Sequence, residues 1–207
     1  MKTPNNAFKA IAFIILSLGA TGCATTNFSY TWKSPDAQPV HLNGQKVLAV
    51  CLTTSDAQRL AAEDALAREL TELGAQGVAS YTLFPAEQVK DVEKVKARLL
   101  REGFDGVVTM RVVGQRERVT HTPGPWAGPT YGGFGGYWGY GWESVYDPGY
   151  LIKETIVSVE TLVYSVKQDK LLWAGVSETT DPSKVDAFLK EVADAVVNEM
   201  KKAGLLV

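Results

Sequence analysis

Three apolar runs separated by two amphipathic segments leave few architectures open to this chain. "KVLAVCLT" (Lys46 to Thr53) is apolar throughout and follows the turn residues Asn43-Gly44, which predicts a buried strand. Ser55 with Gln58 three residues on is the signature of a capped helix start. Ala62, Leu66, Leu70 and Leu73 then fall on one helical face, and Gly74 is a suitable stop. "GVASYTLF" (Gly77 to Phe84) predicts a second strand. A second helix is predicted from Pro85, with Val89, Val92, Val95 and Leu99 inward and Gly103 closing it. "DGVVTMRVV" (Asp105 to Val113) predicts a third strand. Strand, helix, strand, helix, strand is the pattern of a parallel sheet, because parallel neighbours need a crossover long enough to hold a helix.

The second half changes character. The third strand continues as "GQRERVTHT" and breaks at "PGPWAGP". After a glycine-rich stretch, "YLIKETIVSVETLVYSVKQ" and "KLLWAGVSETT" are β-rich and joined through Gln168-Asp169, which predicts an antiparallel pair. A last helix is predicted with Asp181 as its cap and Pro182 at its first position. Its buried stripe would be Val185, Phe188, Leu189, Val192, Val196 and Met200, with Gly204 at its end. The expected fold is α/β: a mixed sheet of about five strands in the order βαβαβ–loop–ββα, with helices packed on it. Residues 43–207 form the single domain, with an insertion at 123–150; residues 23–42, carrying Pro35 and Pro39, read as a polar tether.

The first 22 residues do not belong to the fold. Lys2 and Lys9 precede "AIAFIILSL" (Ala10 to Leu18), an apolar run too short to span a bilayer comfortably. Small residues follow, and the first cysteine of the chain, Cys23, comes directly after Ala20, Thr21 and Gly22. The arrangement resembles the lipobox of bacterial lipoproteins. That resemblance implies cleavage before Cys23, a lipid on its sulfur and its amino group, and anchoring to a membrane. Several acyl chains together hold a protein essentially permanently, where one gives only marginal binding. Ala24 is not the aspartate that tends to retain such proteins at the inner membrane of enteric bacteria, so the resemblance favours the outer membrane, facing the periplasm. Without Lys2 and Lys9 the body carries 19 basic against 23 acidic residues. It is not built to cling to anionic headgroups.

Composition narrows the chemistry. A net charge of −2 lacks the basic footprint of a nucleic-acid binder. Two cysteines and two histidines are too few for a structural zinc site, and no metal or cofactor beyond the lipid on Cys23 is expected. Cys51 falls inside the first strand and reads as a small buried hydrophobe; with Cys23 lipidated, no internal disulfide is available. His121 stands beside Pro123 as a lone loop-entrance residue. Arg59 with Glu63, and Asp64 with Arg68, are spaced as weak pairs on a solvated helix face. The chain carries no nucleophile elbow, phosphate loop, zinc-protease or dinucleotide fingerprint, so no catalytic residue is assigned.

The stretch from Gly124 to Tyr150 is the anomaly. It holds nine glycines and nine aromatics in 27 residues, nearly half of all 19 glycines. A loop so long inside a compact domain is usually functional or disordered. Here it joins two strands expected to be adjacent and antiparallel, so it would sit at the tip of a long hairpin. Aromatics give large contact area with little side-chain entropy to lose. The candidate contact residues are Trp126, Tyr131, Phe134, Tyr137, Trp138, Tyr140, Trp142 and Tyr146. Three readings stand open: an insertion with no fixed partner, an adaptable contact surface for a protein, a glycan or the membrane interface, and a folded cap over the body's own sheet.

From Lys46 onward, "RLAAEDALARELTELGAQGVASYTLFP", "GFDGVV" and "KLLWAGVSETTDP" resemble small α/β domains of uncharacterised envelope lipoproteins. The broader architecture is similar to lipoprotein activators of cell-wall synthases and to curli-secretion-type lipoproteins. The resemblance bears on the fold and carries over no catalytic residue; the role expected from the aromatic loop is that of a non-enzymatic envelope protein contacting another envelope component through it. A glycan-binding module and a ring-forming protein with membrane-inserted hairpins are the alternatives. "GQRERVTHT", with Arg116, Glu117 and Arg118 in succession, lacks the lipid-facing alternation the last would need.

Overall fold

The computed structural model describes residues 26–85, 91–122, 134, 138 and 150–206. Its strands are β1 (Thr26–Lys33), β2 (Lys46–Cys51), β3 (Gln76–Ala79), β4 (Gly106–Thr122), β5 (Tyr150–Ser165) and β6 (Lys170–Thr180). Its helices are α1 (Asp56–Glu72), α2 (Val92–Arg101) and α3 (Val185–Lys202). The strands form one sheet in the order β1-β6-β5-β4-β2-β3. β2 is parallel to both β3 and β4, while β4, β5, β6 and β1 are antiparallel neighbours. The fold is thus the expected mixed α/β sheet, with six strands rather than five.

Alternation along β2 sorts the core into two layers. Val47, Ala49 and Cys51 face α1 and α3, where they join Leu66, Leu70, Val192 and Val196. Leu48 faces the other way and packs with Leu99 of α2 and with Phe104 and Phe84. Each helix ends where a glycine follows. Gly74, Gly103 and Gly204 all take positive φ, and the next residue donates back to a carbonyl of the last turn, as Ala75 N–H does to Leu70 O at 3.0 Å. Only glycine enters that left-handed conformation without strain. The Ser55 hydroxyl accepts from Gln58 N–H at α1's start, as its spacing predicts.

The structure corrects several boundaries. The residues read as a tether include β1, which pairs with β6 along the sheet edge from Thr26↔Thr179 to Lys33↔Trp173. β3 stops at Ala79 and the chain turns into a short 3-10 segment at Ser80–Thr82, because Ser80 and Tyr81 bond a buried carboxylate described below. α2 begins at Val92, capped by the Asp91 side chain, and Val92 itself is exposed; Val89 lies outside the described residues. α3 begins at Val185 rather than Pro182. Asp181 is occupied elsewhere: its N–H donates to Thr155 O and its carboxylate accepts from Thr155 N–H, both at 2.7 Å.

Leu66 and Val192 face each other's layer at 1% and 0% exposure. Leu66→Ala should lower unfolding stability by about 2–5 kcal/mol through the cavity it leaves, and Val192→Ala by about half as much for the fewer carbons removed. A urea titration with unchanged midpoint in both variants would show that the α1–α3 layer is not the core.

Candidate functional site

β4 and β5 are far longer than their neighbours, and this builds the most distinctive feature of the molecule. They pair from Gly106↔Ser165 to Thr122↔Tyr150, with one bulge between Val112 and Gly114. β2 leaves β4 at the Cys51↔Met110 pair, and β6 leaves β5 at Thr180↔Ile156. Beyond these points, among the described residues, the pair continues as a two-stranded arm.

The base of the arm is laced by ion pairs. Arg111 reaches Glu160 at 2.8 Å, Arg118 reaches Glu154 at 2.7 Å, and Lys153 reaches Glu117 at 2.9 Å. Arg116 makes a two-pronged contact with Glu178 across β5, at 2.8 and 2.9 Å. The Arg116 guanidinium, chiefly through that hydrogen bond, holds the Glu178 carboxyl below its ordinary range, and Arg116 is correspondingly raised. Each of these exposed pairs contributes little to stability. Their joint effect is on register: a slip by one residue would turn every partner to the opposite face. The succession of charges in "GQRERV" is therefore a cross-strand ladder.

Further out the arm becomes apolar. Val119, Tyr150, Leu151 and Ile152 are 59, 63, 67 and 39% exposed. Because side chains alternate along a strand, Tyr150 and Ile152 stand on one face of the ribbon while Leu151 and Val119 stand on the other. Between the two strand ends, the structure describes Phe134 and Trp138, exposed at 76 and 55%, with ring centroids 5.4 Å apart and planes tilted by 39°. Of the residues predicted for contact, it therefore brings these two together. Trp126, Tyr131, Tyr137, Tyr140, Trp142 and Tyr146 lie outside the described residues, as does Cys23. The apolar outer end of the strands was missed by the sequence reading. Its signal was "YLI", three consecutive apolar residues that no alternating half-buried strand requires.

The second polar feature lies inside the body. Glu63 was expected on a solvated face, and it is 0% exposed. Its Oε1 accepts from Arg59 Nε at 3.0 Å, Ser80 Oγ at 2.7 Å and Cys51 N–H at 3.2 Å, and its Oε2 from Tyr81 N–H at 2.7 Å. Arg59 also donates to Ser80 Oγ and Phe84 O. The cluster ties α1 to the ends of β2 and β3. Arg68 pairs instead with Asp186, and Asp64 accepts from the Tyr81 hydroxyl. Burial, reinforced by the Glu63 carboxylate, pushes the Cys51 thiol up to about 12, so it stays protonated and unreactive. A cavity of about 330 Å³ opens beside this cluster, lined by Val50, Cys51, Arg59, Ser80 and Phe84. Among the described residues, no group of three or more metal-ligating side chains comes together.

No family model and no curated protein matches the chain. Among solved structures, it is similar to the PelC dodecamer of Paraburkholderia phytofirmans, at 14% identity over 84% of this chain and 96% of that one, with a TM-score of 0.45. It is also similar to lipoprotein GNA1162 of Neisseria meningitidis, at 15% identity over 77% and 99%, with a TM-score of 0.42.

Proposed function

We propose that this chain is a lipid-anchored, non-enzymatic protein of the outer membrane, facing the periplasm, whose α/β body presents the β4–β5 arm to another envelope component. One observation carries the reading: two strands leave the sheet and end in exposed apolar side chains, Val119, Tyr150, Leu151 and Ile152, and the segment that joins them holds the exposed Phe134 and Trp138. Buried apolar groups stabilise a body, whereas apolar and aromatic side chains exposed outside it contribute where something binds them. The lipobox-like run before Cys23 supports the anchor.

The test is photocrosslinking in intact cells from a reactive residue at position 138. A discrete adduct supports a contact tip, and its chemistry (protein, glycan or lipid) identifies the component; absence of any adduct overturns the reading. Two expected outcomes accompany it. Cys23→Ser should abolish incorporation of a labelled fatty acid and leave the chain unprocessed; a native chain that takes up no label would remove the anchor. Replacing residues 130–142 by a short Gly-Ser linker should change stability by less than about 1 kcal/mol, since loop closure depends only logarithmically on length. The same replacement should eliminate the contact, and Trp138→Ala alone should produce much of that loss. A deletion that unfolds the body would make the stretch a structural cap.

A further inference from the structure

The register of the sheet places the start of the chain and the arm at the same end. Thr26 pairs with Thr179 on β6, Thr179 pairs with Val157 on β5, and β5 runs on from there to Tyr150 at the arm's end. Tyr150 lies seven strand positions from Val157, so the arm extends about 23 Å past the level of Thr26 at the strand rise of roughly 3.3 Å. Cys23 is only three residues before Thr26, and three residues fully extended reach at most about 11 Å. A lipid on Cys23 therefore holds this end of the sheet against its membrane, and the arm is longer than the tether.

The chemistry of the arm matches that placement. Its last charged side chains toward the end are Arg118, Glu117, Lys153 and Glu154, all in ion pairs. From Val119 to Ile152 the sequence holds no lysine or arginine and only two acids, Glu143 and Asp147. The outer ribbon carries exposed apolar side chains on both faces, Val119 and Leu151 on one and Tyr150 and Ile152 on the other, interleaved on β4 with uncharged Thr120 and Thr122, and a surface resting on one flat protein partner does not need both faces. Aromatic side chains concentrate at membrane–water interfaces, where an apolar ring and a polar edge are both accommodated. Crossing the hydrocarbon is a different matter. No described strand lies beside the outer arm on either edge, and unpaired backbone groups are costly in lipid.

Resting on the lipid-anchored reading above, we propose that the envelope component met by the arm is the membrane that carries the Cys23 anchor, with the outer end of β4 and β5 lying in its interfacial layer. The body is then held at two points, the lipid and the arm, which fixes its orientation on the bilayer. A protein or glycan partner for the same surface is the competing outcome.

The test uses the full lipidated chain in vesicles of phosphatidylethanolamine and phosphatidylglycerol. Cys51 is buried and protonated, so a cysteine introduced by Leu151→Cys takes a polarity-sensitive dye alone; Gln168→Cys, in the exposed turn at the opposite end of the sheet, is the control. The dye at position 151 should shift to the blue and lose about half its emission when the acyl chains are brominated, while the dye at 168 is unchanged. A water-like, unquenched dye at 151 on protein that floats with the vesicles overturns the inference. If position 138 still crosslinks to a protein or glycan in cells, the contact-tip reading survives that failure. A native chain that does not float with the vesicles overturns the anchor and this inference with it.

Discussion

Glu63→Ala should lower the unfolding free energy by about 3–5 kcal/mol, the range for removing one partner of a buried ion pair. The carboxylate is the common acceptor of four donors on three elements. Its removal strands the Arg59 guanidinium, whose side chain is only 12% exposed, without its counter-charge. It also leaves the Cys51 and Tyr81 N–H groups unbonded at the ends of β2 and β3, each at the cost of an unsatisfied buried donor. Glu63→Gln should fall between wild type and alanine, because an amide oxygen still accepts from the backbone but carries no charge for Arg59. Chemical denaturation of the three chains would check the order. A midpoint for Glu63→Ala within error of wild type would mean that water solvates the cluster.

The Glu63 cluster shows where sequence reading reaches its limit. The i,i+4 spacing of Arg59 and Glu63 was legible, and the pair does form. Its burial was not, because that depends on Ser80 and Tyr81 turning back over α1, a long-range event with no local pattern. The core faces were readable wherever one periodicity dominated: Leu66, Leu70, Leu189, Val192, Val196 and Met200 are all buried as expected. Val92 and Val185 were misplaced because each helix starts later than the proline or aspartate before it suggested. β1 was missed although its aromatics recur at every second residue, Phe28, Tyr30 and Trp32. A bulge between Phe28 and Tyr30 sends Phe28 to the helix side and the other two to the open face, so the aromatic period does not mark one buried face, and Pro35 and Pro39 follow the strand. For the candidate site, the hairpin and its antiparallel pairing were legible from the two β-rich runs around a glycine-rich insert. The ion-pair ladder was not, since cross-strand partners are set by a register that the bulge at Val112/Gly114 shifts by one.

Trp173→Ala should cost about 3–5 kcal/mol, as truncation of a fully buried aromatic does. Trp173 is 1% exposed and is the largest fully buried side chain of the described body. Its ring stands edge-on to Phe28 of β1, with centroids 5.6 Å apart and planes at 80°. Gly175 makes room for both rings: a Cβ there would lie 2.3 Å from Trp173 and 2.8 Å from Phe28. The same contact decides whether β1 belongs to the body. If it does, Phe28→Ala and Trp173→Ala should be non-additive in a double-mutant cycle, with a coupling of about 0.5–1.5 kcal/mol for the edge-to-face pair. Two further bonds pin the strand at its ends, Thr26 Oγ1 to Glu191 at 2.7 Å and Lys33 Nζ to Ala203 O at 2.8 Å, both reaching α3 or its cap. Strictly additive losses would mean that β1 moves independently of β6. The two residues between Cys23 and Thr26 would then no longer set the distance from lipid to body, because the tether would lengthen to Val40. Measured coupling in the expected range keeps the tether short, and a short tether is what brings the arm to the membrane surface.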